Sequence, residues 1–323
     1  MADLTFDAEV LNSFERNLDP LSPEGGPFGA RILGYGEMST VLTLAVPGAE
    51  GLCFKRMPMF EREAEVVAYR NLYQDFLAVL EGAVGMSAAP SHLVEAGRHR
   101  GSIVVYIVQE LLPPDRVVQR LLPRLSAVGL NALLQSALQE TSKVFRFNQS
   151  DPDGRKIAVD GQLSNFGLVE AGDFESLQRG ETVKLVYIDT STPLMQVKGR
   201  ERLNTELFLR SAPGWLKPAL RALIVKDTVK RYYDPRSVAI DLLANLYKEQ
   251  LHDKVPALVE EANRFFEAHG VAVAPIDTKD VQAYYAEDAN MWRLYLWARK
   301  LDRRVRRLLG RPYPYILPRR ITR

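Results

Sequence analysis

The chain has 323 residues, 46% of them hydrophobic and 25% charged, with a formal net charge of +2. That balance fits a globular protein of one large or two modest domains whose core needs no staples, and it is too near neutral to point to nucleic acid. The single cysteine, Cys53, leaves no intrachain disulfide and no cysteine metal site, and four scattered histidines without an H-E-x-x-H pattern give zinc hydrolysis no support.

Residues 1–27 read as an arm rich in Pro, Gly and acids, with one short helix. Residues 29–46 place apolar β-formers on either side of Gly34-Tyr-Gly36-Glu-Met-Ser39-Thr40, which predicts a hairpin with the two glycines at its tip. Such a tip lets backbone N–H groups approach phosphate oxygens, and it equally suits an ordinary hairpin. Gly51 to Pro58 is a short strand carrying Lys55; a strand lysine is most often a solvated edge charge. Phe60 to Leu80 predicts a helix, with Val66, Tyr69, Tyr73, Phe76 and Leu80 at helical spacing and Glu61, Glu63 and Glu65 in its first two turns. Acids there favour the helix dipole in any case.

The apolar run from Val104 to Gln109 is a strand stopped by Pro113-Pro114. Residues 28–112 thus form a small β-rich lobe and residues 113–323 a mainly helical one, an α+β chain of two lobes. Leu130 to Phe147 is a helix. Ile157-Ala-Val-Asp160 and Leu185-Val-Tyr-Ile-Asp189 are short apolar runs that each bring an acid to a strand end, and Asn165 follows Asp160 by five residues. The D-x4-N spacing lets one residue meet an acceptor hydroxyl while the other reaches a metal. Phe166 to Glu170 and Val183 to Ile188 pair as a hairpin with a polar tip at 170–182. From residue 200 onward the pattern is almost wholly helical, and Ser237 to Gln250 is a buried helix. Its Asp241 either braces the loop at Asp160 or is a cap or surface acid.

In this order the motifs resemble the protein-kinase-like superfamily, in the broad sense that includes aminoglycoside and choline phosphotransferases. Gly34-Tyr-Gly36-Glu-Met-Ser39-Thr-Val41 is similar to its G-x-G-x-x-G-x-V phosphate loop, with Ser39 in place of the third glycine. The resemblance implies that Gly34, Gly36, Ser39, Thr40 and Lys55 meet the phosphates of ATP. It implies that Lys55 pairs with a helix glutamate. Glu65 is favoured, with Glu63 second because phosphotransferase-type helices place the acid there. Glu110 and Leu112 then flank the hinge that meets the base. Asp160 is the implied catalytic base, and Asn165 and Asp189 the implied ligands of Mg²⁺. The sequence departs from the family where Ala158-Val159 stand in place of the usual His-Arg or His-Gly, and where Asp189-Thr-Ser191 stands at the D-F-G position. No Ala-Pro-Glu motif follows. The expectation is phosphoryl transfer from ATP to a hydroxyl of a small molecule. A nucleotide-binding regulatory module and an AMP-transferring enzyme are the alternatives.

Residues 293–323 hold eleven Lys or Arg and one acid, Asp302. Leu294, Ala298, Leu301, Val305 and Leu308 give this stretch an apolar stripe. Such a helix can lie on an anionic membrane or contact an anionic partner, and it can equally dock on the acidic body of its own chain. The acidic start carries no apolar run, and none elsewhere approaches the roughly 18 residues of a membrane span, so the expected location is cytoplasmic.

Overall fold

The computed structural model describes residues 5–24, 26–36, 39–221 and 229–318. The chain is α+β. Its first third holds helix α1 (Ala8–Asn17), strands β1 (Arg31–Tyr35), β2 (Thr40–Thr43) and β3 (Leu52–Phe60), helix α2 (Glu63–Ala78), and strands β4 (Ser91–His99) and β5 (Ser102–Glu110). The five strands form one antiparallel sheet in the order β1-β2-β3-β5-β4.

Side-chain alternation along β5 explains why the sheet is covered on both faces. Ile103, Val105 and Ile107 point into a core shared with Tyr69, Tyr73 and Phe76 of α2. Val104, Tyr106 and Val108 point the other way, against Leu11, Phe14 and Leu18 of α1 and Ile316 from beyond residue 310. The expected amino-terminal arm is therefore docked on the sheet. Its anchor is Glu15, which receives Arg56 Nε at 2.6 Å and Nη2 at 2.9 Å and also the Tyr106 hydroxyl, all buried. Arg56 Nη1 donates to Pro314 O at 2.7 Å, so the same guanidinium holds the segment 311–318.

The helix expected over 60–80 starts later, at Glu63, because β3 runs on through Pro58 to Phe60. The β3–β5 register shifts between Met57 and Phe60. An irregularity of that kind accommodates a residue with no N–H to give the ladder.

After β5 come α3 (Val118–Leu121), the long α4 (Ala127–Ser150), β6 (Arg155–Ala158), β7 (Phe166–Leu168), α5 (Asp173–Gln178), β8 (Leu185–Tyr187), β9 (Leu194–Val197) and β10 (Arg200–Glu201). These strands make two small antiparallel sheets, β10-β9-β6 and β7-β8. The polar tip expected at 170–182 folds as α5. Helices α6 (Glu206–Leu209), α7 (Lys217–Leu220), α8 (Val229–Arg231), α9 (Pro235–Lys248), α10 (Val255–Ala268) and α11 (Thr278–Leu308) complete the chain. Helix α9 is buried from Val238 to Leu246 and capped by Asp234, which accepts from Ser237 N–H at 2.8 Å. The basic helix starts at Thr278, well before the basic stretch itself. No helix among the described residues is long and apolar enough to cross a membrane.

Candidate active site

An open cleft lies between the β1–β2 turn and the helical part, with Gly36 and Ser39 on one side and Asp160 and Asp189 on the other. The turn closes with Gly36 N–H donating to Ser39 O at 2.9 Å. Gly34 sits in β1 opposite Val41, and Thr40 in β2 opposite Tyr35, so these two frame the turn and do not line the cleft. The Glu37 and Met38 positions of the motif lie outside the described residues.

Lys55 stands in β3 between Val41 and Ile107 and is only 6% exposed, so it is not a solvated edge charge. Its ammonium donates to Ile188 O and, at 3.3 Å, to Asp189 Oδ1. Burial pushes the Asp189 carboxyl up, but Lys55 and the Ser191 hydroxyl and N–H more than offset this and hold it below its ordinary value. The described bonds of Asp189 all fall on Oδ1, which leaves Oδ2 to the cleft; the side chain is 37% exposed.

The expected pairing of Lys55 with Glu65 is not what forms. Glu65 accepts from Glu61 N–H at 3.0 Å, Arg62 Nη2 at 2.7 Å and Arg210 Nη2 at 2.9 Å. Burial works against its charge, yet these donors hold its carboxyl down to about 2. Glu63 does not replace it; it lies exposed near Glu95. The reason is one of level along the strand. Arg210 also reaches Met59 O, so Glu65 belongs to the Met59 end of β3. Lys55 is four residues back, about 13 Å at strand rise. One helical turn further along α2, Tyr69 lies at the right height. Its hydroxyl donates to Ser191 O at 2.8 Å, and Tyr73 bonds the Thr190 hydroxyl at 2.9 Å. Two tyrosines thus couple α2 to the Asp189 segment. Their helical spacing marked them as core, and nothing in the sequence signalled their polar ends.

Asp160 is delivered by Ile157-Ala-Val, whose apolar side chains are buried. The free edge of β6 is completed by the Asn148 side chain, which both donates to Ile157 O and accepts from Ile157 N–H at 2.8 Å. Asp160 Oδ1 accepts from Gln162 N–H at 3.2 Å, and its own N–H goes to the Tyr187 hydroxyl at 3.1 Å. Tyr187 therefore joins the two acid-bearing loops. Burial, then the charge of Asp189, pushes the Asp160 carboxyl up, opposed by Lys248. Gly161 is obligatory here. A Cβ on it would stand 2.5 Å from Val238 Cγ1, so only glycine lets the loop lie against α9.

Asn165 ends the turn Leu163–Asn165. Its O accepts from Ile188 N–H at 2.9 Å, which places it beside Asp189 at the mouth of the β7–β8 hairpin. Its Nδ2 donates to Asp160 O at 3.3 Å, leaving the amide oxygen as the remaining group. Among the described residues no group of three His, Cys, Asp or Glu gathers to hold a metal. Asp189 Oδ2 and Asn165 Oδ1 are nonetheless hard oxygen donors. That sparse set suits Mg²⁺, which keeps waters and substrate oxygens as its other ligands.

Asp241 is buried at 3% exposure, so it is not a surface acid or a cap, and its carboxyl lies against that of Asp160 within hydrogen-bonding reach. Burial and then Asp160 push it well above the carboxylate range. A residue the sequence did not single out holds the same loop one turn further along α9: Asn245 Oδ1 accepts from Ser164 N–H at 3.0 Å. Lys248, one turn on, donates to Gln162 Oε1 at 2.8 Å and pairs with Asp288 at 3.3 Å. The far wall of the cleft comes from α8 and α11, through Arg231, Tyr284, Glu287, Asp288 and Trp292. Glu110 and Leu112, expected to flank a hinge, are not among the residues lining the cleft; Glu110 N–H goes to Pro90 O and Leu111 N–H to Gly51 O. The Leu112 side chain packs on Gly167, where an added Cβ would meet Leu112 Cδ2 at 3.2 Å.

A family model matches residues 29–303, and the chain belongs to that family, described as a family of unknown function (DUF6206). No curated protein matches it.

Proposed function

We propose that this member of the family is a two-lobed, kinase-like phosphotransferase that binds ATP with Mg²⁺ and passes a phosphoryl group to a hydroxyl of a small molecule. The observation that carries the reading is the bond between Lys55 and Asp189 at 3.3 Å, on the edge of a cleft that also holds Asp160. A cation, a deprotonated acid with one oxygen free, and a second carboxylate are what charge neutralisation and acceptor positioning require.

In this reading Lys55 turns from Asp189 toward the phosphates when nucleotide enters. The backbone of Gly36 and Ser39 closes over those phosphates, while Gly34 and Thr40 hold the turn. Leu112, whose N–H no described group takes up, meets the edge of the base, with Glu110 at the end of the strand behind it. Asp189 and Asn165 hold the metal, which when bound neutralises phosphate charge. Asp160 accepts the proton of the attacking hydroxyl, and the Gln162 N–H fixes the carboxylate in place. Tyr69 and Tyr73 keep the Asp189 segment at the height of Lys55.

Titration calorimetry with a nonhydrolysable ATP analogue tests this. One site, dependent on Mg²⁺ and lost in Lys55→Ala, is expected; no heat with or without metal overturns the proposal. The engagement of Glu65 by Arg210, away from Lys55, favours one rival, a nucleotide-binding regulatory module. Binding with no phosphate transfer to any of a panel of alcohols would select it. Transfer of AMP to the same panel would select the remaining alternative.

A further inference from the structure

On α11 the apolar residues Leu294, Trp297, Val305 and Leu308 follow one another at helical spacing and are 47%, 55%, 44% and 87% exposed. Leu309, at 62%, extends the stripe. Beside it stands Trp215, 61% exposed, its ring edge-on to Trp297 with centroids 6.3 Å apart. From Leu294 to Leu308 the stripe is about 21 Å long at helical rise. It is not the face by which α11 joins the body, because that contact is made by Tyr295, Leu296, Ala298 and Arg299, all buried. The expected docking of the stripe on its own chain therefore holds for Ala298 and in part for the half-buried Leu301, and not for Leu294, Val305 or Leu308. Arg293, Arg304 and Arg307 are exposed along one flank of the stripe.

We propose that this face docks on the surface of a lipid bilayer rich in anionic lipids, with α11 lying in the interface plane. A row of exposed Leu, Val and Trp bordered by arginines is the make-up of an interfacial helix. The apolar side chains enter the headgroup boundary, the indoles sit at its level, and the guanidinium groups meet lipid phosphates and carboxylates. No described helix can span the membrane, so the contact is peripheral. Nucleic acid fits less well, because phosphate contacts make no use of an 87% exposed leucine. A second copy fits less well too, since a two-fold contact sets the patch against itself and brings arginines together.

The test is co-sedimentation of the full chain with vesicles of phosphatidylcholine alone and of phosphatidylcholine mixed with phosphatidylserine, at low and high salt. Two variants accompany it: Trp297→Ser with Leu308→Ser, and Arg304→Glu with Arg307→Glu. Both change exposed positions, and unchanged melting temperatures confirm that they fold. The intact chain is expected to pellet with the anionic vesicles, to release at high salt, and to prefer them about tenfold or more over neutral ones. Both variants should lose that binding by about the same factor. Equal pelleting with both vesicles, no pelleting, or unaffected variants overturns the proposal. So does light scattering that shows a dimer, or retention on duplex DNA, if the same variants abolish it.

Discussion

Lys55 Nζ stands 3.3 Å from Asp189 Oδ1, a bond across 134 positions of sequence that draws the β3 strand onto the loop after β8. Without the ammonium, Asp189 keeps its burial and loses its counter-charge. Lys55→Met is expected to abolish nucleotide binding. It should also cost about 1–3 kcal/mol of stability, because Ile188 O and Asp189 lose their donor. Calorimetry and urea denaturation of the one variant read both effects. Nucleotide affinity at the level of the unmodified chain would refute the role given to Lys55.

Asp160 has two duties that a pair of substitutions separates. Asp160→Asn keeps an oxygen for the Gln162 N–H, so its melting temperature should match the parent. Turnover should fall by about 10² to 10⁴ while nucleotide affinity holds. Asp160→Ala should in addition lose about 1 kcal/mol of stability through the missing turn bond. An Asn variant with full activity would mean that Asp160 only shapes the loop.

The Glu65–Arg210 contact has a pH signature. The carboxyl is held down to about 2 in the folded chain, below the unfolded value of about 4.3. Its contribution is therefore complete above about pH 4.3 and disappears as pH falls toward 2. Glu65→Gln should melt below the parent at neutral pH, and the gap should narrow steadily as the medium is acidified past pH 4. Thermal melts of the two chains over that range decide it. A gap independent of pH would contradict an ionised Glu65.

The buried Arg56–Glu15 pair should behave asymmetrically. Glu15→Gln leaves a guanidinium desolvated and should cost about 3–5 kcal/mol. Replacing both, with Glu15→Leu and Arg56→Met, should cost far less, because no uncompensated charge remains. Denaturant midpoints of the single and double variants measure the difference. A double variant as unstable as the single would show that packing, not charge, dominates there.

The sequence could be read furthest where a short apolar strand ends in a polar residue. Asp160 and Asp189 each follow such a strand, Asn165 precedes one and Lys55 lies within β3, and the fold brings all four to one region. Helical periodicity gave the buried face of α2, but not its height against β3. That height depends on how far β3 runs past Pro58, and so Glu65 was matched to the wrong partner. Asn245, Lys248 and the α11 wall carried no local signal, because their neighbours in the cleft lie tens of residues away in sequence. The arm before residue 28 looked detached for the same reason: only the folded sheet brings Glu15 to Arg56.

The guanidinium of Arg56 reaches Pro314 O across 258 positions, and Ile316 belongs to the same outer cluster as Leu11 and Phe14. This has a consequence for synthesis. The β-sheet and α1 leave the ribosome early, but the segment that finishes covering them emerges some two hundred residues after β5. During that interval the amino-terminal lobe carries an incompletely sealed apolar face and a buried cation short of one partner. Its final closure therefore waits for the far part of the chain. A fragment cut at residue 112 should emerge as an aggregation-prone intermediate and not as a domain that folds by itself.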